Sequence, residues 1–240
     1  MCCKVVSSSN RKLADEFRPL ATRKRAHCLA GPAGFRHDTL RVKMILAPIH
    51  NRGVGYDMSL AFNEQKATQT VAAFLKLGKG RLNVLKLVKL VYLADRLALV
   101  TGGRPITFDQ FFSLPKGPVV SSTLNLINDE PDPNEPRYWH RFISERMQYE
   151  IALRADPGAA DLSRFEEQII EQIYGQYGHL DQWALVKLTH KLPEWSDPGL
   201  SSIPIHIHEI LEAEGFSPDV AKEIEHALEH ESALSLELAS

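Results

Sequence analysis

The sequence predicts an α+β fold, predominantly helical, with one small antiparallel hairpin. Three observations predict it. Apolar residues recur at helical spacing in seven separate stretches after residue 60. Asparagine, serine, aspartate or proline stands at the start of most of them, and glycine or proline closes them. Only residues 138–154 alternate with the two-residue period of a strand pair.

Residues 62–77, FNEQKATQTVAAFLKL, form the first expected helix. Asn63 can cap it, Ala67, Val71, Phe74 and Leu75 make an apolar stripe, and Gly78 and Gly80 end it. Residues 82–100, LNVLKLVKLVYLADRLALV, are a stronger helix with Asn83 as cap. Leu85, Val88, Leu90, Val91, Leu93, Leu97 and Val100 cover most of its circumference, which places it centrally. At about 100° per residue Lys89 and Arg96 project on one side, as a solvated edge, as long stems packed over apolar neighbours, or as a basic strip facing a partner. Thr101-Gly102-Gly103 stops this helix and Pro105 prevents its resumption.

Ile106, Phe108 and Phe111 or Phe112 read as a short strand. Pro115 and Pro118 flank Lys116-Gly117 as a turn, and a helix is expected from Pro118 or Val119 through Ile127. Residues 129–137 are loop by composition. YWHRFISE (138–145) and MQYEIALR (147–154) read as the hairpin, closed by Asp156-Pro157-Gly158. Helices then resume at 162–178 with Ser163 as cap and at 181–192 with Asp181 as cap. Two more follow at 205–214 after Pro204, and from Ser217-Pro218 to about Leu236.

The 240 residues are 44% hydrophobic and 24% charged, the composition of an ordinary globular protein. The net charge of −2 conceals an asymmetry. Residues 1–57 hold 11 Lys and Arg against 4 Asp and Glu, whereas the remainder carries an excess of 9 negative charges. The first segment lacks sustained periodicity and is rich in Arg, Ser, Pro and Gly. It is expected to be a disordered basic leader; Met44 and Met58 stand just ahead of the first helix, and a start assigned too early would produce such a segment. The folded domain is expected over 58–240. No apolar signal core and no spanning stretch is visible, so a cytoplasmic protein is expected. Residues 206–240 hold nine acidic side chains against one lysine, which disfavours nucleic acid as a partner of this domain.

Motifs for chemistry are sparse. Cys2, Cys3 and Cys28 make neither a disulfide framework nor a tetrahedral zinc set. His206 and His208 would diverge by about 200° on a helix; extended they could share an ion, but no third ligand is spaced nearby. Solvated histidines are the expectation there. His226 and His230 have i, i+4 spacing on a face that reads as exposed and acidic. Ser121, Ser122 and Thr123 follow the Lys116 turn without a G-x-S-x-G elbow, so caps are expected rather than nucleophiles. No cofactor motif and no metal site is expected, and the chain is not expected to be an enzyme.

The order of several motifs resembles the Panacea domain, the SocA-like antitoxin family of bacteria and their phages. Lys86-Leu87-Val88-Lys89-Leu90-Val91-Tyr92-Leu93-Ala94-Asp95 matches its helix, Gly103-Arg104-Pro105-Ile106-Thr107 its strand start, and Lys116-Gly117-Pro118-Val119 its turn. Leu185-Val186-Lys187-Leu188-Thr189-His190 followed by Trp195 matches a later signal. The resemblance implies an antitoxin of a type II toxin–antitoxin system that binds and neutralises a protein toxin encoded beside it. It also admits an adaptor that presents a bound toxin to an ATP-dependent protease. A hydrolase using Ser121 or His190 is a third reading. Partner contact is expected from Lys89, Tyr92, Asp95, Arg96, Lys116, Gly117, Pro118, Trp183, His190 and Trp195. Within the motif, Asp95 is placed to accept from backbone N–H groups or Arg104 of the loop that follows.

Overall fold

The computed structural model of the protein describes residues 62–128 and 137–239. The expected basic leader and most of the expected loop at 129–137 lie outside those residues. Along the described chain run α1 (Glu64–Leu77), β1 (Arg81–Asn83), α2 (Val84–Gly102), β2 (Phe111–Leu114), β3 (Gly117–Val120), α3 (Ser121–Asn128) and α4 (Tyr138–Phe142). They are followed by β4 (Glu150–Ala152), α5 (Arg164–Tyr177), α6 (Gln182–Thr189), β5 (Ile203–Ile205), α7 (Ile207–Ala213) and α8 (Pro218–Ala239). The α+β, mostly helical class is borne out.

Helix α2 is the spine. Of its 19 residues 13 are buried, because α1, α5, α6, α7 and β3 all pack around it. Asn63 and Asn83 cap α1 and α2 as the sequence suggests, each accepting from the backbone N–H three residues on. Ser163 and Glu166 close a reciprocal box at the start of α5, and the Asp181 carboxylate takes the Trp183 and Ala184 N–H groups at the start of α6. Gly103, at φ 76°, ends α2 with its N–H on the Leu99 carbonyl.

Strands fall differently from the expectation. There are two small antiparallel sheets among the described residues, one pairing β1 with β4 and one in the order β3-β2-β5. Residues 81–83 belong to the first sheet, so α2 starts at Val84. Residues 138–142 are helical rather than extended. Trp139 and His140 are adjacent and both buried, which a strand with alternating faces cannot provide, and the Trp139 N–H donates to the Glu64 carboxylate on α1. The strand expected at Ile106 begins only at Phe111, because the segment before it is gathered by two carboxylates. Pro118 sits in β3 opposite Ser113, not in a helix, and α3 begins three residues later. As an edge strand β3 tolerates a residue without an N–H. β5 occupies 203–205, and α7 starts only at Ile207.

A candidate protein-interaction site at the hairpin turn

The polar side chains of α2 build the site from below. Lys89, Tyr92 and Arg96 stand at i, i+3 and i+7, one stripe of the helix. The stripe faces neither solvent nor a free edge: Lys89 and Tyr92 are wholly buried and Arg96 is 3% exposed. The reading of Lys89 and Arg96 as a solvated edge or surface basic strip is therefore corrected. Each has a specific partner instead.

The Lys89 ammonium donates to the Pro118 carbonyl at 2.6 Å, gripping the hairpin between β2 and β3. Burial pushes this amine down to about 7. Tyr92 donates to Glu194 at 2.8 Å, and the Arg96 guanidinium forks onto both oxygens of the same carboxylate at 2.6 and 3.3 Å. A further arm of Arg96 reaches Glu214 at 2.7 Å. Burial and the Glu194 charge raise the Tyr92 hydroxyl well above its ordinary value. Burial opposes the Arg96 charge, but the Glu194 carboxylate overrides it and leaves the guanidinium more firmly protonated than in water. Tyr92 also meets Phe111 edge-on, with ring centres 5.7 Å apart.

Asp95, on the neighbouring face of α2, collects the loop that follows. Its carboxylate accepts from the Ile106 and Thr107 N–H groups and from the Thr107 hydroxyl. Burial, with Asp109 nearby, raises it to about 7 although these hydrogen bonds pull the other way. Arg104, the other partner considered for Asp95, instead pairs with Glu231 and lies over the Phe108 ring. Asp109 performs a parallel task, taking the N–H groups of Gln110, Ser122 and Thr123 and the Thr123 hydroxyl. The two carboxylates fix the path from α2 through β2 to α3, including Phe108 at φ 53°, a conformation a bulky residue seldom takes.

The hairpin turn, Pro115-Lys116, then rests on the end of α6. Gly117, at φ 92°, comes so close to this floor that a Cβ would meet the Thr189 hydroxyl at 2.7 Å. His190 Cδ2 and the Lys89 nitrogen would lie at 3.1 Å. His190 stacks on Trp195 with centres 4.0 Å apart and planes 7° apart, and Trp195 donates to the Leu114 carbonyl at 3.2 Å. Burial and the adjacent Lys89 charge lower the His190 imidazole. At the surface Lys116 is exposed, its nitrogen 5.9 Å from the centre of the Trp183 ring. Trp183 is itself 53% exposed.

Eight of the ten residues named from the sequence thus gather around one hairpin, Asp95 anchors the loop leading into it, and Arg96 holds Glu194 next to Trp195. They divide by depth. Lys89, Tyr92, Asp95, Arg96, Gly117 and Pro118 are buried; His190 and Trp195 are half-buried; Lys116 and Trp183 face outward. Glu194 and Asp109 were missed. A signal for the first existed: an arginine and a tyrosine on a helix apolar all round require a buried acceptor, and Glu194 adjoins the motif tryptophan.

Residues 87–196 match the family model described as "Antitoxin SocA-like, Panacea domain". That span runs from the second residue of the α2 motif to the residue after Trp195 and contains every side chain of the site except Glu214 and Glu231. No curated protein and no solved structure matches the chain significantly. No described helix is long and apolar enough to cross a membrane.

Proposed function

We propose that the chain is the antitoxin of a type II toxin–antitoxin pair, neutralising a cognate protein toxin by direct contact at the hairpin face. The family match supports an antitoxin role in general terms. The observation that carries the finer reading is the two-layer build of the hairpin. An exposed lysine on a turn immobilised from behind by Lys89, Gly117 and the His190–Trp195 stack lies beside an exposed tryptophan at the start of α6. Cationic and aromatic groups on a rigid support lose little conformational freedom on binding, and such side chains dominate protein interfaces. In this reading Lys89, Tyr92, Asp95 and Arg96 serve the contact indirectly, by holding the surface in shape. Neutralisation by sequestration involves no turnover and no cofactor.

The test is growth rescue. The product of the adjacent gene is expressed alone and then with the full chain. Rescue is expected from the wild type, and rescue that persists in a folded variant with alanine at both Ser121 and His190 removes the hydrolase reading. Persistent arrest at equal expression refutes neutralisation. Rescue accompanied by a shortened toxin half-life in a pulse-chase assigns the adaptor reading instead. Loss of rescue in a folded Ser121→Ala variant, which leaves the His190–Trp195 stack intact, points to hydrolysis.

A further inference from the structure

The two histidines that would diverge on a helix converge here, because the first of them lies outside it. His206 is the residue before α7 and has extended backbone, φ −79° and ψ 151°, while His208 is in the first turn. Their rings lie nearly parallel, 20° apart, with centres at 5.3 Å. The third ligand lacking in the nearby sequence arrives from α8. Glu225 places Oε2 2.6 Å from His208 Nδ1 and Oε1 3.9 Å from His206 Nδ1. One donor atom from each of the three residues lies within 4.8 Å of the others.

We propose that His206, His208 and Glu225 form a binding site for a divalent transition metal of the zinc class, clamping α7 to α8. Two imidazoles and one carboxylate, with coordination positions left open, suit zinc, nickel or cobalt. Tetrahedral ligands at about 2.1 Å from such an ion stand about 3.4 Å apart, so the present spread requires only a small inward movement. His206 is free to make it, its side chain being 63% exposed. Glu225 is already oriented: it is 12% exposed, and its Oε1 accepts from the Ile207 and His208 N–H groups. These backbone donors act as the outer support that metal-binding carboxylates usually have. Metal would displace the direct His208–Glu225 contact, because a nitrogen that ligates cannot keep its proton. The site uses none of the hairpin-face residues, although His206 directly follows β5, which pairs with β2.

The test uses the untagged full chain, freed of metal by chelation, with zinc or nickel chloride titrated in a calorimeter and melting followed in parallel. One equivalent should bind and raise the melting temperature. His206→Ala should weaken binding at least tenfold while leaving the metal-free melting temperature unchanged. Glu225→Gln should abolish the metal-induced rise. Alanine at both His226 and His230 should leave binding intact. Absence of binding, or binding that survives His206→Ala, overturns the proposal.

Discussion

Replacing Lys89 by methionine tests the buried polar floor of the hairpin quantitatively. The substitution keeps the apolar stem and removes the ammonium. Two effects follow, and pH separates them. The Pro118 carbonyl loses its donor at every pH, a cost of about 1–3 kcal/mol for a buried unsatisfied group. The amine itself titrates near 7 in the folded protein against 10.5 for an ordinary lysine. Its folded value is depressed, so between those limits the unfolded chain holds more protons than the native one, and stability rises with pH. Below 7 the full penalty of burying the charge is in force. The gap of three and a half pKa units corresponds to at most about 5 kcal/mol, of which about 2 kcal/mol should appear between pH 7 and 9. Urea unfolding of wild type and Lys89→Met at half-unit pH steps gives the difference in stability, in which most other titrating groups cancel. The wild type should gain about 2 kcal/mol over the variant across that window. A difference independent of pH would refute the assignment of Lys89 as an amine depressed by burial.

Three further substitutions probe the same framework. Gly117→Ala combines a left-handed backbone with a methyl 2.7 Å from the Thr189 hydroxyl; a loss of about 3 kcal/mol in chemical denaturation is expected, against less than 1 for alanine at the open, exposed Lys116. Glu194→Gln leaves Arg96 buried beside a neutral group and should cost about 3 kcal/mol, which a further Arg96→Met exchange should largely recover. Asp95 has the opposite sign to Lys89: its folded pKa, about 7, lies above the unfolded 3.8, so the native state holds the proton and its stabilisation fades as pH rises from about 4 to about 7. Asp95→Asn should remove that decline, up to about 4 kcal/mol relative to wild type, when unfolding is followed from pH 4 to 8.

The helices were legible because capping is local: Asn63, Asn83, Ser163 and Asp181 each cap the helix they precede. The strands were not, because each has only three or four residues and, the β2–β3 hairpin apart, takes its pairing from distant chain. Ile203 and Pro204 become strand only beside Phe112 and Ser113, about 90 residues earlier. Trp139-His140 becomes helical because α1 offers Glu64 and an apolar face. Spacing placed Lys89 and Arg96 on one side of α2 but could not say what that side meets. Their charges suggested solvent, whereas the fold supplies a carbonyl to one and a carboxylate to the other. The same limit hid Glu225 from the two histidines, since ligands on separate helices leave no mark in local spacing.

On the proposed function, the outward pair, Lys116 and Trp183, makes the contact while the buried residues only shape it. The direct measurement is calorimetric affinity for the adjacent gene's product, comparing wild type with the Lys116→Ala, Trp183→Ala double variant. The account predicts a variant as stable as wild type and at least about 100-fold weaker in binding, the loss of a central cationic and aromatic anchor. Undiminished affinity in that folded variant would contradict it.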